Sequence, residues 1–125
     1  MTEEPSEIKG RILLVEDEDA IRLSLRKYLL NSGYEVHVAT DGLSALKELI
    51  DYEVDVIVTD YKMKVFGGDY WIRFLKKHYD STKIIVTSGF LKPDFNVPFP
   101  VVFKPYDYSS LEKMISDSMD EIRGS

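Results

Sequence analysis

Three acids, one hydroxyl and one amine stand where short apolar runs end. Glu16 and Asp17 follow Ile12–Val15, and Asp60 follows the run Val54–Val58 by two residues. Thr87, Ser88 and Gly89 follow Ile84–Val86, and Lys104 follows Val101–Phe103. A carboxylate at the end of a buried run loses hydration, so it needs a compensating partner. If the acids converge, two like charges about 4 Å apart cost about 1 kcal/mol in water and ~4 at an effective dielectric of 20. A proton or a cation must relieve that repulsion. Oxygen ligands at an open site suit Mg²⁺, which keeps several waters and often bridges to phosphate. A lysine across the crevice can pair with the phosphate's remaining charge, and a serine hydroxyl with nearby backbone N–H groups completes a cradle. An aspartate in such a place can also attack phosphorus and form an acyl phosphate.

The elements that must position these residues are legible as alternating patterns. Ile12-Leu13-Leu14-Val15 is continuously apolar, as expected of a strand buried on both faces. Ile21, Leu25, Tyr28 and Leu29 then share a helical face, and Gly33 is a plausible stop. Val36 and Val38 alternate with Glu35 and His37, which predicts a half-exposed edge strand. Ala45, Leu46, Leu49 and Ile50 return to helical spacing, and Val54–Val58 is again strand-like although Asp55 interrupts it. A third helix carries Trp71, Ile72 and Leu75 after the Gly67-Gly68 turn. Buried strands follow at Ile84–Val86 and Val101–Phe103. Ser109–Glu112 fits a capping box, opening a helix with Leu111, Met114, Ile115, Met119 and Ile122 on one stripe.

Strand–helix alternation of this kind predicts an α/β fold, flavodoxin-like and doubly wound, with a five-stranded parallel sheet. The half-exposed second strand belongs at an edge, which favours the order 2-1-3-4-5. Ligands then bind beyond the carboxyl ends of the strands, where the acids, Ser88 and Lys104 stand. Between Ser88 and Lys104 the chain carries Pro93, Pro98 and Pro100. Proline breaks helical ladders, so the fourth helix is expected to be missing or reduced to a loop.

Composition narrows the function classes. The 125 residues fit one domain, and 44% hydrophobic content supports a packed core. There is no cysteine, hence no disulfide and no thiolate metal site. A net charge of −6 argues against direct nucleic-acid binding. The first ten residues are polar and acidic, unlike a secretory signal, and no run reaches membrane-spanning length. The expectation is a cytoplasmic protein with a disordered tail over residues 1–10 and one domain over 11–123.

Ile12–Asp19 (ILLVEDED), Val54–Met63 (VDVIVTDYKM), Gly68, Ile84–Gly89 (IIVTSG) and Lys104-Pro105-Tyr106 together resemble the receiver domain of bacterial response regulators. Each motif alone is weak, but five in order, each at a strand end, are specific. The resemblance implies Mg²⁺-dependent phosphotransfer from a histidine kinase to Asp60, with no external turnover substrate. It implies that Glu16, Asp17, Asp60 and the Lys62 main-chain carbonyl hold the metal. Ser88 resembles the switching hydroxyl, Lys104 the phosphate-pairing lysine, and Lys104-Pro105 the family's cis bond.

Blander readings stand beside these. Asp17 or Asp19 could cap the first helix, Asp60 could start a turn, Ser88 could be a satisfied strand-end hydroxyl, and Lys104 could be solvated. Thr87, Trp71 and the tyrosines are read as packing; His37 and His78 as surface residues without acidic partners; Glu121 and Arg123 as solvated charges. The sequence also departs from the family. Lys64 replaces a proline, and Val101 stands where a large switch aromatic is usual, which breaks the ordinary coupling of Ser88 to a rotating ring. Phe90, Leu91, Phe95, Val97 and Phe99 occupy the loop that replaces the helix. They either cover the sheet or form a patch for a partner or a second copy, a homodimer. The output partner is unknown. Rival readings are a receiver-fold scaffold that works without phosphorylation, a phosphatase with an aspartyl nucleophile, and an FMN carrier. The residue two after Asp60 is Lys62, not the second acid many such phosphatases carry, and acids at the strand ends suit a flavin phosphate poorly.

Overall fold

In the computed structural model, which describes residues 7–89 and 97–124, Ile12–Val15 are buried on both faces, as a continuous apolar run requires. They lie in β1 (Arg11–Val15), followed by α1 (Asp19–Asn31), β2 (Glu35–Ala39), α2 (Gly42–Asp51) and β3 (Val56–Asp60). Then come α3 (Gly68–His78), β4 (Lys83–Ser88), β5 (Val101–Phe103) and α4 (Tyr108–Gly124). The strands form one parallel sheet in the order β2-β1-β3-β4-β5. The edge position of β2 agrees with its half-buried pattern.

Period-two alternation sorts the strand side chains into two cores. Ile12, Leu14, Val56, Val58 and Ile85 face Leu25 and Leu29 of α1 and Leu111, Ile115 and Met119 of α4. Leu13, Val15, Ile57, Ile84 and Val86 face Ala45 of α2 and Trp71, Ile72 and Leu75 of α3. Helix ends follow local chemistry. Gly33 takes φ +105° just beyond α1, a conformation costly for any residue with a Cβ. Asp41 caps α2 by accepting the Ser44 N–H at 2.8 Å, with the Ser44 hydroxyl returning to the Asp41 N–H.

Several details differ from the sequence reading. β3 starts at Val56 and runs on to Asp60, so the acid is the last residue of the strand and not beyond it. Helix α4 begins at Tyr108, and Asp107 just before it accepts hydrogen bonds from the Ser109 and Ser110 hydroxyls. The cap is an aspartate two residues before the serine expected: the Asp107 carbonyl accepts the Leu111 N–H at 3.1 Å, and its carboxylate also accepts the Ser109 N–H. Ile50 is 81% exposed, because it lies on the outer side of α2. His37 is not a free surface residue: Nε2 sits 2.9 Å from Glu35 Oε2 and the ring stacks on Tyr52 at 4.1 Å. Residues two apart on a strand share a face, so Glu35 was within reach. Glu121 pairs with Lys83 across 2.7 Å, and Arg123 donates to the Lys9 carbonyl.

Between β4 and β5, the described residues 97–100 carry no helix. Val97 and Phe99 are half-buried against the α2/α3 core, consistent with covering the sheet. Phe90, Leu91 and Phe95 lie outside the described residues, as do residues 1–6 of the expected tail. No helix among the described residues is long and apolar enough to cross a membrane.

Candidate functional site

Register alone assembles the crevice. Val15 pairs with Thr59, so the next residues, Glu16 and Asp60, are neighbours. Asp60 pairs with Thr87, one residue before Ser88, and Ser88 pairs with Phe103, one residue before Lys104. Backbone bonds extend the ladder past the strand ends: the Tyr61 N–H donates to the Thr87 carbonyl (2.9 Å) and the Lys104 N–H to the Ser88 carbonyl (2.8 Å). The Lys104-Pro105 bond is cis.

The side chains converge accordingly. Lys104 Nζ lies 2.8 Å from Glu16 Oε1, 3.2 Å from Asp60 Oδ2 and 3.7 Å from Glu18 Oε1. Glu16 and Asp60 are buried, at 1% and 5% exposure, while Asp17 is half-buried. Carboxylate oxygens of Glu16, Asp17 and Asp60 lie within 4.8 Å of one another. Asp17, Asp60, Ser88 and Lys104 line a crevice of ≈ 520 Å³, with Glu18, Lys62, Met63, Lys64 and Gly89 completing it. Asp19 stands apart, paired with Arg22, which also donates to the Glu16 carbonyl at 3.0 Å. Thr59 accepts the Trp71 indole N–H at 2.8 Å, locking the residue before Asp60 to α3.

The electrostatics are unbalanced. Burial, and then the negative charge of Glu16, push the Asp60 carboxyl up to about 7, against the opposing pull of Lys104. Burial alone would depress the Lys104 amine. Its hydrogen bond to Glu16 and the charges of Asp60 and Glu16 outweigh that, so it is held above its ordinary value and stays protonated. Among the described residues, Lys104 is the amine paired with Glu16 and Asp60, and Asp17 converges on those two acids. An oxygen-only donor set with surplus negative charge fits a small hard cation, and Mg²⁺ meets that description.

Sequence reasoning missed Glu18 and Arg22. The signal for Glu18 was present, since Glu16-Asp17-Glu18-Asp19 is an unbroken acidic run beginning at a strand end. It gave no means of telling which of the four would face Lys104.

Fold and crevice together define the class: a doubly wound signalling module, the receiver domain of two-component systems. The chain belongs to the response regulator receiver domain family, whose model matches residues 12–116. The sensor kinase CckA of Brucella abortus (strain 2308) is 34% identical over 118 residues, 88% of this chain and 12% of that protein. The regulatory protein AtoC of Escherichia coli (strain K12) is 28% identical over 116 residues, 88% of this chain and 25% of that protein. The chain therefore spans only a minor part of the length of either relative. Among solved structures, the chemotaxis response regulator CheY4 of Vibrio cholerae superposes with a TM-score of 0.77 at 26% identity, covering 90% of this chain and 99% of that one. The receiver domain of the hybrid histidine kinase CckA gives 0.75 at 28% identity, covering 88% and 99%. Receiver domains bind Mg²⁺ at an acidic pocket, and Glu16, Asp17 and Asp60 form an acidic cluster here that could hold a metal ion.

Proposed function

We propose that this chain accepts a phosphoryl group on Asp60 from a phosphohistidine of a histidine kinase and thereby switches its interaction surface. The carrying observation is the Lys104 amine set between Glu16 and Asp60 at a rim where three carboxylates outnumber it. Glu16, Asp17, Asp60 and the Lys62 carbonyl would hold Mg²⁺, which supplies charge neutralisation on the phosphoryl oxygens. The remaining work belongs to the chain itself. An Asp60 oxygen attacks phosphorus, the P–N bond to the imidazole breaks, and the imidazole keeps the electron pair. Lys104 exchanges its bond to Asp60 for one to a phosphoryl oxygen, and Ser88 donates its hydroxyl to another. Hydrolysis later transfers the phosphoryl group to water, cleaving the P–O bond to Asp60 and restoring the carboxylate.

In this reading the output does not run through a rotating aromatic, because Val101 is a half-buried β-branched residue packed beside the α2/α3 core. The test is incubation with acetyl phosphate and Mg²⁺ followed by intact-mass measurement. The expected result is one added phosphoryl group on the wild type and none on Asp60→Asn. An unmodified wild type, or equal labelling of both proteins, rejects the reading.

A further inference from the structure

The loop between β3 and α3 is fastened at two places. At its base the Gly68 N–H donates to the Tyr61 carbonyl at 2.7 Å. At its outer corner the Val65 carbonyl accepts the N–H of Gly42, the first residue of α2, at 3.0 Å. The corner sits so close to that helix turn that a Cβ on Gly42 would lie 1.9 Å from the Phe66 carbonyl oxygen. Phe66 takes φ +48°, and no other described non-glycine residue has a positive φ. Its ring is held against Trp71 and Phe74, with centroids 5.8 and 5.9 Å away. A large side chain keeps a left-handed backbone only where its surroundings hold it there. The segment between these two fastenings carries Lys62, Met63 and Lys64, all of which line the crevice around Asp60.

We infer that Gly42 and Phe66 are positioning residues: seating the Val65–Phe66 corner on the first turn of α2 sets where the Lys62 segment stands at the rim. The inference rests on the reading of Asp60 as an Mg²⁺-dependent acceptor and deepens it. It gives α2, whose side chains contribute nothing to the crevice lining, a mechanical hold on the site. Neither residue touches the reacting atoms. Their effect passes through the loop.

The test uses Gly42→Ala and Phe66→Asn in the full chain. Alanine in a first helical turn ordinarily stabilises, so a defect in Gly42→Ala isolates the lost close approach. Asparagine tolerates positive φ, so Phe66→Asn removes the ring anchor while keeping the backbone accessible. Mg²⁺ alone is titrated by the backbone amide shifts of Tyr61 and Ser88, and decay of the acetyl-phosphate-labelled protein is timed by intact mass. Both variants are expected to need roughly tenfold more Mg²⁺ for half-saturation, with altered phosphate lifetimes and unchanged helical content. Leu43→Ala, at an exposed neighbouring position, is expected to match the wild type. Half-saturation and lifetime within about twofold of wild type in the folded variants would overturn the inference. Should Gly42→Ala not fold, Phe66→Asn decides alone. A wild type that takes neither Mg²⁺ nor phosphate fails the Asp60 reading instead, which is a separate outcome.

Discussion

The two ends of the sheet carry the same kinds of charged residue and put them to opposite use. At the amino end, Lys83 pairs with Glu121 across 2.7 Å with both side chains well exposed, and Arg11 faces Glu35 at 3.5 Å in similar exposure. Asp55 there accepts the Arg11 backbone N–H at 2.8 Å. Each acid has its own donor, and water screens them all. At the carboxyl end, Lys104 is the amine for Glu16 and Asp60 together, with Asp17 beside them, and the side chains of Lys104, Glu16 and Asp60 are 13%, 2% and 7% exposed. Charge as such does not mark a site. Desolvated charge that its protein neighbours fail to balance does, because the deficit is what an external ligand can relieve.

The sharpest way to break that contrast is to remove the Lys104 amine. Lys104→Met keeps the apolar stem but leaves Glu16 and Asp60 without their cation. Unfolding by urea at pH 8 with a chelator is expected to show a loss of about 3 kcal/mol, much of it recovered on adding Mg²⁺. A variant as stable as wild type without metal would mean that the rim is not strained at all.

Removing an acid should do the reverse. Asp60 has an ordinary value of 3.8 and is pushed up to about 7 in the fold. Between those values the native state holds a proton that the unfolded chain has released, so stability from this group falls as pH rises and is lost above about 7. Asp60→Asn is therefore expected to stabilise the metal-free protein, on the order of 2 kcal/mol at pH 8, with little effect near pH 4. The stabilisation contributed by Mg²⁺ to the wild type should grow over the same interval, since a protonated carboxyl is a poor ligand. Thermal melts across pH, with and without Mg²⁺, check both signs.

How much of this was readable beforehand follows from the range of each interaction. The apolar runs, their order and the acids at their ends are local features, and parallel register then leaves Glu16, Asp60, Ser88 and Lys104 no choice but to be neighbours. The edge position of β2 was legible from the alternation of Val36 and Val38. The Asp107 start of α4 was misplaced because a serine pair and an aspartate two residues apart offer competing caps. His37 was misread although Glu35 is its strand neighbour, a pairing that period two makes visible. The Trp71–Thr59 hydrogen bond and the seat of Phe66 on Gly42 depend on how α2 and α3 dock on the sheet. No spacing along the chain encodes those contacts, and Gly42 in sequence looks like any glycine after a capping aspartate.

A smaller effect should separate chemistry from stability at the rim itself. Lys62 is exposed on the crevice edge, so Lys62→Asn is expected to change the lifetime of the phosphorylated protein several-fold while shifting unfolding by no more than about 0.5 kcal/mol. Equal decay rates would remove Lys62 from the account of how water reaches the phosphoryl group.

The smallest effect belongs to the opposite end and is the control for the whole contrast. Lys83→Met breaks an ion pair of 2.7 Å, shorter than any of the three contacts Lys104 makes. By distance alone it should be the costlier loss. Both Lys83 and Glu121 keep their hydration when separated, so the expected change is within about 0.5 kcal/mol. It should also be indifferent to Mg²⁺ and vanish into the baseline at high salt. A loss at Lys83 comparable to that at Lys104 would mean that pair distance, and not the unbalanced burial of the acids around it, governs what a lysine contributes in this fold.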